Sequence, residues 1–271
     1  MSQSISLRKV LLPGIILLLF LLAPYLIRDD YFLHVLIMIF YFAYMASAWN
    51  IICGYVGQLS LGHSALSGIG GYISVLLFMN LGLTPWIGMF VGGLCAMVVA
   101  LIIGLPTLRL RGPYFALTTI AFAEILRIWL ENTEDILGIQ VMGASGLNVP
   151  LKGNSPAFFQ FADKEPYYYI MLVMLSAVVL ITFWMDRSRL GYYLKAIKGD
   201  QDAAEAIGIQ SSKYMLIALA LSAFLTALGG SFIARFLLFI NPERNFGIDL
   251  SIEVALMAIV GGQGTVLGPI L

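Results

Sequence analysis

Residues 85–105 read PWIGMFVGGLCAMVVALIIGL, an apolar stretch without a single charged side chain. A helix of about 20 apolar residues spans the roughly 30 Å hydrocarbon core of a bilayer. The stretch is continuously apolar, whereas the strands of a membrane barrel alternate between apolar and polar residues. It therefore predicts a transmembrane helix.

Similar apolar runs occur along the whole chain. The eight candidate spans are residues 10–27, 31–53, 63–79, 85–105, 114–130, 167–184, 214–240 and 250–260 onward. Sixty per cent of the 271 residues are apolar and 11 % are charged, against about 45–50 % and about 25 % in soluble globular proteins. We therefore predict an all-α polytopic membrane protein with one transmembrane domain, residues 1–271, and about eight spans.

Small residues recur at every fourth position within several spans. The ladders are Gly88, Gly92, Ala96, Ala100 and Gly104; Ser60, Ser64 and Gly68; and Ser222, Thr226, Gly230 and Ala234. In lipid, small faces let helix backbones approach closely and so hold helices together. We interpret the ladders as packing faces; the alternative is that one of them lines a pore.

The distribution of positive charge predicts a cytoplasmic N-terminus, because cytoplasmic loops carry an excess of Lys and Arg. This orientation places nine of the 15 basic residues inside: Arg8, Lys9, Arg109, Arg111, Arg187, Arg189, Lys195, Lys198 and Lys213. Four lie outside, Arg28, Lys152, Lys164 and Arg244, and Arg127 and Arg235 lie within spans. Residues 131–166 then form an external loop and residues 186–213 a cytoplasmic one. The first span is too long for a cleaved signal peptide, so we expect it to be retained.

Several function classes find no support in the sequence. The 15 acidic and 15 basic residues balance, so no excess charge indicates nucleic-acid binding. No phosphate loop occurs, because Gly261–Thr265 lacks the required lysine, and ATP would have to be hydrolysed by a partner. His34 and His63 lack the spacing of metal ligands, and Cys53 and Cys95 lie in apolar runs without a disulfide or metal pattern. His63-Ser64 lacks the G-x-S-x-G motif of a serine hydrolase.

Two Gly-rich interruptions indicate where a solute path could run. They are Gly57–Gly62 (GQLSLG) and Gly262–Gly268 (GQGTVLG), one in each half of the chain. Broken apolar segments in matching positions of two halves are typical of transport pathways. The candidate path residues are Gln58, Ser60, Gln263 and Thr265, together with His63 beside the first interruption and Glu124 in the fifth span.

Ionisable residues inside spans are costly in lipid and are candidates for function. Glu124 and Arg127 stand three residues apart, so their side chains should pair on one helix face. Arg235 and Glu253 lie towards the outer ends of their spans, where we expect pairing and snorkelling. The alternatives are a solute path and a docking surface.

The cytoplasmic loop contains the pattern Asp202–Gly208 (DAAEAIG). It predicts a short helix with an acidic residue near its N-terminus, where the helix dipole favours it. Ala203 and Ala204 would let a partner approach closely, and Gly208 could supply the positive φ that ends the helix.

This segment resembles the coupling loop of ABC importer permeases, E-A-A-x-x-x-G, with Asp202 in place of Glu and no Leu-Pro farther on. Four longer stretches are similar to the branched-chain amino-acid permease family: Gly57–His63, Arg111–Thr119, Leu190–Ile209 and Gly261–Thr265. The Arg-Gly-x-Tyr-Phe-Ala segment is typical of the second of its two permease types.

The resemblance implies a bacterial inner-membrane importer with two different permeases, two ATPase subunits and an external binding protein. It assigns ATPase coupling to Lys195, Asp202, Ala203, Ala204, Glu205 and Gly208. Relatives that take urea or short amides leave the solute open. Because family members continue beyond the Gly261–Thr265 stretch into at least one more span, we expect the chain to be truncated at Leu271.

Two other classes remain as alternatives. An ion-gradient-driven secondary transporter needs a carboxylate near the membrane midplane, for which Glu124 is the candidate. The other class is a scaffold or an intramembrane enzyme. Uptake that requires ATP and added ATPase subunits would favour the importer, and uptake driven by an ion gradient alone would favour the secondary transporter.

Overall fold

The computed structural model describes residues 19–25, 29–110, 112–136 and 138–270. The helices are α1 (residues 19–25), α2 (Asp30–Cys53), α3 (His63–Leu81), α4 (Pro85–Thr107), α5 (Pro113–Glu131), α6 (Glu165–Arg187), α7 (Arg189–Gly199), α8 (Gln201–Ala206), α9 (Ser211–Leu237), α10 (Pro242–Phe246) and α11 (Ile248–Gly262). The strands form two antiparallel pairs, β1 (Asp135–Ile136) with β2 (Ile139–Gln140) and β3 (Leu147–Asn148) with β4 (Phe239–Ile240). The predicted all-α class is confirmed, with small strand pairs confined to connections.

Seven helical segments of the described chain are long and apolar enough to cross a membrane: α2, α3, α4, α5, α6, α9 and the pair α10–α11. They confirm seven of the eight predicted spans. The first predicted span, residues 10–27, lies mostly outside the described residues. Its described part, α1, packs on the bundle, since the Tyr168 hydroxyl donates a hydrogen bond to the Phe20 carbonyl at 2.7 Å.

Helix ends follow local sequence signals. The Asp29 side chain accepts a hydrogen bond from the Tyr31 N–H and caps α2. Pro85 and Pro113 begin α4 and α5, where a missing N–H costs nothing. Gly82 ends α3 at φ +63°, a conformation that favours glycine.

Two boundaries differ from the prediction. The span predicted for residues 214–240 ends at Leu237, because Leu238 adopts a left-handed conformation at φ +54° and the chain then enters β4. The last span consists of two helices separated by Gly247, with Asn241 capping the first of them. The apolar pattern alone did not predict α10.

The predicted cytoplasmic loop contains two helices, α7 and α8, where its sequence pattern predicts one. Helix α7 precedes the predicted short helix, and Ser188 caps it by accepting a hydrogen bond from the Gly191 N–H. Leu194 and Ile197 are buried on one face of α7. This face seats the helix on the bundle.

The small-residue ladders of α4 and α9 are packing faces, as predicted, and both pack on α3. Ser64 and Gly68 of the third ladder contact Ser251 and Phe246 of α11 and α10 instead. A Cβ built on Gly230 of α9 would lie 2.0 Å from the Ser67 carbonyl oxygen of α3, and one on Gly70 would lie 2.2 Å from the Ala227 carbonyl oxygen. A Cβ on Gly92 of α4 would lie 2.7 Å from the Gly70 carbonyl oxygen. Only glycine permits these backbone distances, so the three helices form the rigid centre of the bundle.

The connections gather at two ends of the bundle. At one end, here called the inner end, the Lys198 ammonium donates to the Gly54 carbonyl at 2.8 Å, and Gly264 packs against Gly54. At the other, outer end, β3 pairs with β4, and the Trp86 indole N–H donates to the Pro156 carbonyl at 2.9 Å. The charge distribution predicts that the inner end faces the cytoplasm.

Cysteine labelling tests which end faces the cytoplasm. Asn154 at the outer end and Ser212 at the inner end are both exposed. An impermeant maleimide should label Asn154→Cys in intact cells and Ser212→Cys only after permeabilisation, because the inner end carries most of the positive charge. The parent chain, with its native Cys53 and Cys95, gives the background. The reverse pattern would show that the topology is inverted.

Candidate functional site

The second Gly-rich interruption meets the C-terminal end of α2, just before the first interruption, through Asn50 of α2. The Asn50 side chain is completely buried, donates to the Thr265 carbonyl at 2.8 Å and accepts from the Gly264 N–H at 2.7 Å. Gly54, one turn after Asn50, contacts Gly264, and its carbonyl also accepts from Lys198 of α7. We call these five residues the junction.

The turn after α11 has the backbone geometry that the junction needs. Gly262 has φ +118° and Gly264 has φ +79°, both in the region that favours glycine. The Thr265 hydroxyl donates to the Gly262 carbonyl at 2.8 Å and accepts from the Gly268 N–H at 3.0 Å. Thr265, a predicted path residue, therefore holds this turn, and Gln263 is exposed beside it.

The predicted path residues of the first interruption, Gln58 and Ser60, are buried. Ser60 accepts the Trp49 indole N–H through its carbonyl at 2.8 Å, and its own N–H donates to the Cys53 sulfur at 3.1 Å. Gln58 is 8 % exposed, and its side-chain oxygen has no hydrogen-bond partner within the described part of the chain. These contacts fold the segment back against the end of α2.

His63 lies in a buried hydrogen-bond chain between α3, α9 and α2. Its Nε2 is 2.9 Å from the Ser222 Oγ, and the Ser222 hydroxyl donates to the Ala48 carbonyl at 2.7 Å. Because the hydroxyl has one proton to donate, Nε2 must be the donor to Ser222. The buried Nδ1 then remains an acceptor without a partner among the described residues.

Glu124 is held in a network on α5. As predicted, it pairs with Arg127, which also contacts Glu131 at 2.5 Å. The Glu124 side chain is 42 % exposed. The Glu124 carboxylate is therefore bound in an ion pair with Arg127 on the exposed face of the helix.

The expectation that Arg235 snorkels outwards is wrong. Arg235 is completely buried between α9 and α3. Its Nη2 donates to the Ser74 carbonyl at 3.1 Å, and its guanidinium lies 4.1 Å from the centre of the Phe78 ring. The tight packing of α9 on α3 encloses the side chain before it can reach the surface.

The predicted coupling segment rests on α7. Lys195 pairs with Asp186 at the end of α6, at 2.6 Å, so the Lys195 side chain binds α7 to its own subunit. Tyr55 lies beneath this pair, with the Lys195 ammonium 5.7 Å from its ring centre. Burial and then the Asp186 carboxylate raise the pKa of the Tyr55 phenol, so it stays protonated. The pair anchors α7 beside the first interruption.

Helix α8 confirms the predicted short helix. Asp200 caps it by accepting from the N–H groups of Asp202 and Ala203, at 2.9 and 3.0 Å. Gly208 follows it with φ +90°, as predicted. Glu205 accepts a hydrogen bond from Gln201 at 3.1 Å within the helix.

Ala204, one of the residues predicted to contact the ATPase, does not lie on the exposed side of α8. Ala204 is 3 % exposed and belongs to this chain's own core, because α8 turns that side of the helix inwards. Ala203 is exposed, and Ile207 is 77 % exposed. We call the exposed Ala203, Glu205 and Ala206, together with Ile207 in the turn that follows, the free face of α8.

A cavity of about 560 Å³ lies near the outer end, between α2, α9 and α10–α11; we call it the outer cavity. Its apolar wall contains Met38, Phe42, Ile233 and Leu237. Its charged wall contains Glu243, Arg244, Asp249 and Glu253, all exposed.

Sequence reasoning missed Asn50, Lys198 and most of the charged wall. Asn50 is the one amide in the apolar run of residues 31–53, and that isolation was the available signal. For Lys198, the only signal in the sequence was its position just before the predicted coupling helix. Glu243 and Asp249 lie between the predicted spans 214–240 and 250–260, so they did not stand out as charges within a span.

The chain is similar to known bacterial permeases. The family model described as "Branched-chain amino acid transport system / permease component" matches residues 31–271. The high-affinity branched-chain amino acid transport system permease protein LivM of Escherichia coli is 30 % identical over 240 residues, which cover 82 % of this chain and 56 % of LivM. LivH of Salmonella typhimurium is 22 % identical over 242 residues, covering 85 % and 77 %.

A permease named for a sugar is also similar. The ribose import permease protein RbsC of Escherichia coli is 24 % identical over 194 residues, which cover 68 % of this chain and 59 % of RbsC. The chain spans about half the length of LivM. No solved structure matches it.

The family and the helices give the same location. Seven helices of the described chain could cross a membrane, and its relatives are bacterial permeases. The protein is therefore a multi-pass protein of the bacterial plasma membrane. Since the family model covers residues 31–271 and LivM is 30 % identical over most of the chain, the protein belongs to the branched-chain amino acid transport system permease family.

Proposed function

We propose that this chain is the membrane-spanning permease subunit of an ATP-driven importer for branched-chain amino acids or related small polar solutes such as urea or amides. The observation that carries the proposal is the link between α7–α8 and the junction. Lys198 of α7 donates a hydrogen bond to the Gly54 carbonyl, and Gly54 contacts Gly264 of the second interruption. The Lys198 stem also lies against Gly57 of the first interruption, where a Cβ would be 3.1 Å from the Lys198 Cγ. A force applied to α8 would thus reach both Gly-rich segments.

The energy source in this proposal is a partner. The sequence contains no phosphate loop, so ATP would be hydrolysed by separate ABC ATPase subunits. Their docking surface would be the free face of α8, with Ala203 and Ile207 at its centre. The proposed assembly also contains a second permease and an external solute-binding protein, and no cofactor is assigned to this chain.

The proposed solute path runs along the junction and the polar residues beside it. Gln58, Ser60 and His63 follow the end of α2, and Gln263 and Thr265 lie in the turn after α11, which the buried Asn50 joins to α2. The hydrogen bonds of Asn50 to that turn would close the inner end at rest. Glu124 is a weaker candidate, because Arg127 occupies its carboxylate. That pairing also disfavours a secondary transporter that would need Glu124 as its proton or ion carrier.

Purification of the tagged chain from membranes that express its whole transport system tests the partner. We expect an ABC ATPase to co-purify and to hydrolyse ATP faster when the loaded binding protein is added. If the chain purifies folded without any ATPase, the proposed function is wrong. Co-purification with a hydrolysis rate that ignores the binding protein would also contradict it.

Lys198→Met tests the link between α8 and the junction. Methionine keeps the apolar stem but removes the donor to Gly54, and a hydrogen bond to a charged group contributes about 1.5–3 kcal/mol. We expect ATPase association to persist and uptake per ATP hydrolysed to fall roughly tenfold, in line with that energy. Lys213→Met, an exposed lysine at the same end, is the matched control and should behave as wild type.

Wild-type coupling in Lys198→Met would show that force does not pass through this contact. Loss of ATPase association in this variant would instead assign Lys198 to the docking surface.

A further inference from the structure

Arg235 is a completely buried cation that has no role in the proposed coupling or solute path. Its Nη2 group donates to the Ser74 carbonyl, but its Nε and Nη1 groups have no hydrogen-bond partner among the described residues. In that part of the chain it also makes no ion pair within 4.0 Å. A buried charge without a counter-charge is strongly unfavourable. The guanidinium therefore needs a negative partner.

A second cation lies against the same aromatic ring. The centre of the Phe78 ring is 4.1 Å from the guanidinium carbon of Arg235 and 4.4 Å from the ammonium of Lys152. The two cations are therefore at most 8.5 Å apart, the sum of these distances. Lys152 likewise makes no ion pair within the described residues. Two like charges at this distance repel each other, and more strongly in a protein interior than in water.

The end of α3 offsets only part of this charge. Arg235 donates to the Ser74 carbonyl at 3.1 Å and Lys152 to the Phe78 carbonyl at 3.4 Å. The C-terminal end of a helix carries about half a negative elementary charge, whereas the two side chains carry two positive charges. Water could accept the remaining hydrogen bonds but would leave the charge uncompensated. An anion would supply both.

The external loop packs over the ends of α3 and α9 and limits the size of such an anion. The Phe158 ring lies 6.2 Å from the Phe78 ring, and the Val149 N–H donates to the Leu238 carbonyl at 2.9 Å. The Gln160 side chain holds the loop together, since it accepts from the Lys152 N–H and donates to the Pro150 carbonyl, both at 2.8 Å. With the guanidinium enclosed, a carboxylate on another protein could not reach it. A small inorganic anion fits better.

We propose that chloride binds beside the Arg235 guanidinium, beneath the external loop. It accepts a hydrogen bond from at least one of the two free N–H groups of Arg235, and the exposed Lys152 attracts it from the outer side. Neither residue lines the outer cavity, so the two sites are separate. By neutralising the buried charge, the anion stabilises the packing of the external loop on α3 and α9.

Equilibrium dialysis of the purified transport complex against radiolabelled chloride tests the proposal. Gluconate, an anion too large for the enclosed site, keeps the ionic strength constant. The variants are Arg235→Met, Arg235→Lys and Lys152→Met. Arg244→Met is the matched control, because it removes an exposed cation at the same end, in the outer cavity. The thermal unfolding midpoint of each variant, measured as chloride replaces gluconate, is the second readout.

The wild-type complex should bind chloride saturably, and its unfolding midpoint should rise as chloride replaces gluconate. Because a hydrogen bond to a charged group contributes the equivalent of about tenfold or more in affinity, Arg235→Met should weaken chloride binding at least ~10-fold and Arg235→Lys should restore part of it. Lys152→Met removes an exposed charge and should weaken binding by up to about 5-fold. Arg244→Met should bind chloride as the wild type does.

Absence of saturable chloride binding by the wild-type complex would overturn the site, and so would equal affinity in Arg235→Met. If Arg235→Met does not fold, the other two variants decide, and wild-type affinity in both Arg235→Lys and Lys152→Met would contradict the proposal. Loss of binding in Arg244→Met but not in the Arg235 variants would place the anion in the outer cavity and would also contradict it.

Discussion

Replacing Gly230 with alanine should markedly lower the thermal unfolding midpoint of the purified protein. The added Cβ would lie 2.0 Å from the Ser67 carbonyl oxygen, a backbone atom in the centre of α3. Neither helix can shift locally, because Gly70 and Ala227 are in equally close contact one turn away. Overpacking of this kind costs about 1–3 kcal/mol and occasionally more. Thermal unfolding in detergent, followed by circular dichroism, measures the effect.

Gly199→Ala is the matched control. Gly199 is the last residue of α7 and has no atom near its would-be Cβ. Alanine is favoured over glycine in helices by roughly 0.5–1 kcal/mol, so this variant should be neutral or slightly more stable. Equal midpoints for Gly230→Ala and wild type would show that α3 and α9 do not pack through this contact.

Ala203→Trp and Gly208→Val should each abolish the productive contact with the ATPase. Tryptophan at the exposed Ala203 would overfill a surface that a partner must approach closely. Valine at Gly208, where φ is +90°, would strain the turn after α8 by about 1–3 kcal/mol. We expect at least ~10-fold weaker ATPase association, or retained association without binding-protein-stimulated hydrolysis. Pull-down and hydrolysis assays measure both.

The outer end offers matched controls for both changes. Ala144 is exposed, and Gly153 has φ +129° with no atom within 4 Å of its would-be Cβ. Ala144→Trp and Gly153→Val therefore repeat the same chemical changes away from the proposed docking face. If Ala203→Trp and Gly208→Val associate with the ATPase and respond as these controls do, the free face of α8 is only a solvated surface.

Features set by periodicity could be predicted from the sequence. Seven of the predicted spans are helices in the described part of the chain, because the thickness of the bilayer fixes the length of an apolar transmembrane helix. The small-residue ladders of α4 and α9 predicted packing faces, because such a face is visible in the spacing of a single helix, but the spacing did not identify α3 as their partner. The pair of Glu124 with Arg127 followed from their spacing of three residues.

Features set by the relative placement of distant segments could not be predicted. Asn50 and Thr265 are joined by a hydrogen bond across more than two hundred residues, and no local pattern anticipates it. The orientation of α8 decides that Ala204 is buried and Ala203 is free, although the two are adjacent. The burial of Arg235 likewise depends on how closely α9 packs on α3.

Uptake by proteoliposomes is the most direct test of the central claim, that ATP hydrolysed by a partner drives solute movement through this chain. The vesicles should contain the complete transport complex, with the binding protein and radiolabelled leucine on the outer-end side. We predict accumulation that requires ATP on the side of α7–α8 and that does not occur with a proton or sodium gradient alone. Accumulation driven by an ion gradient without ATP would contradict the claim.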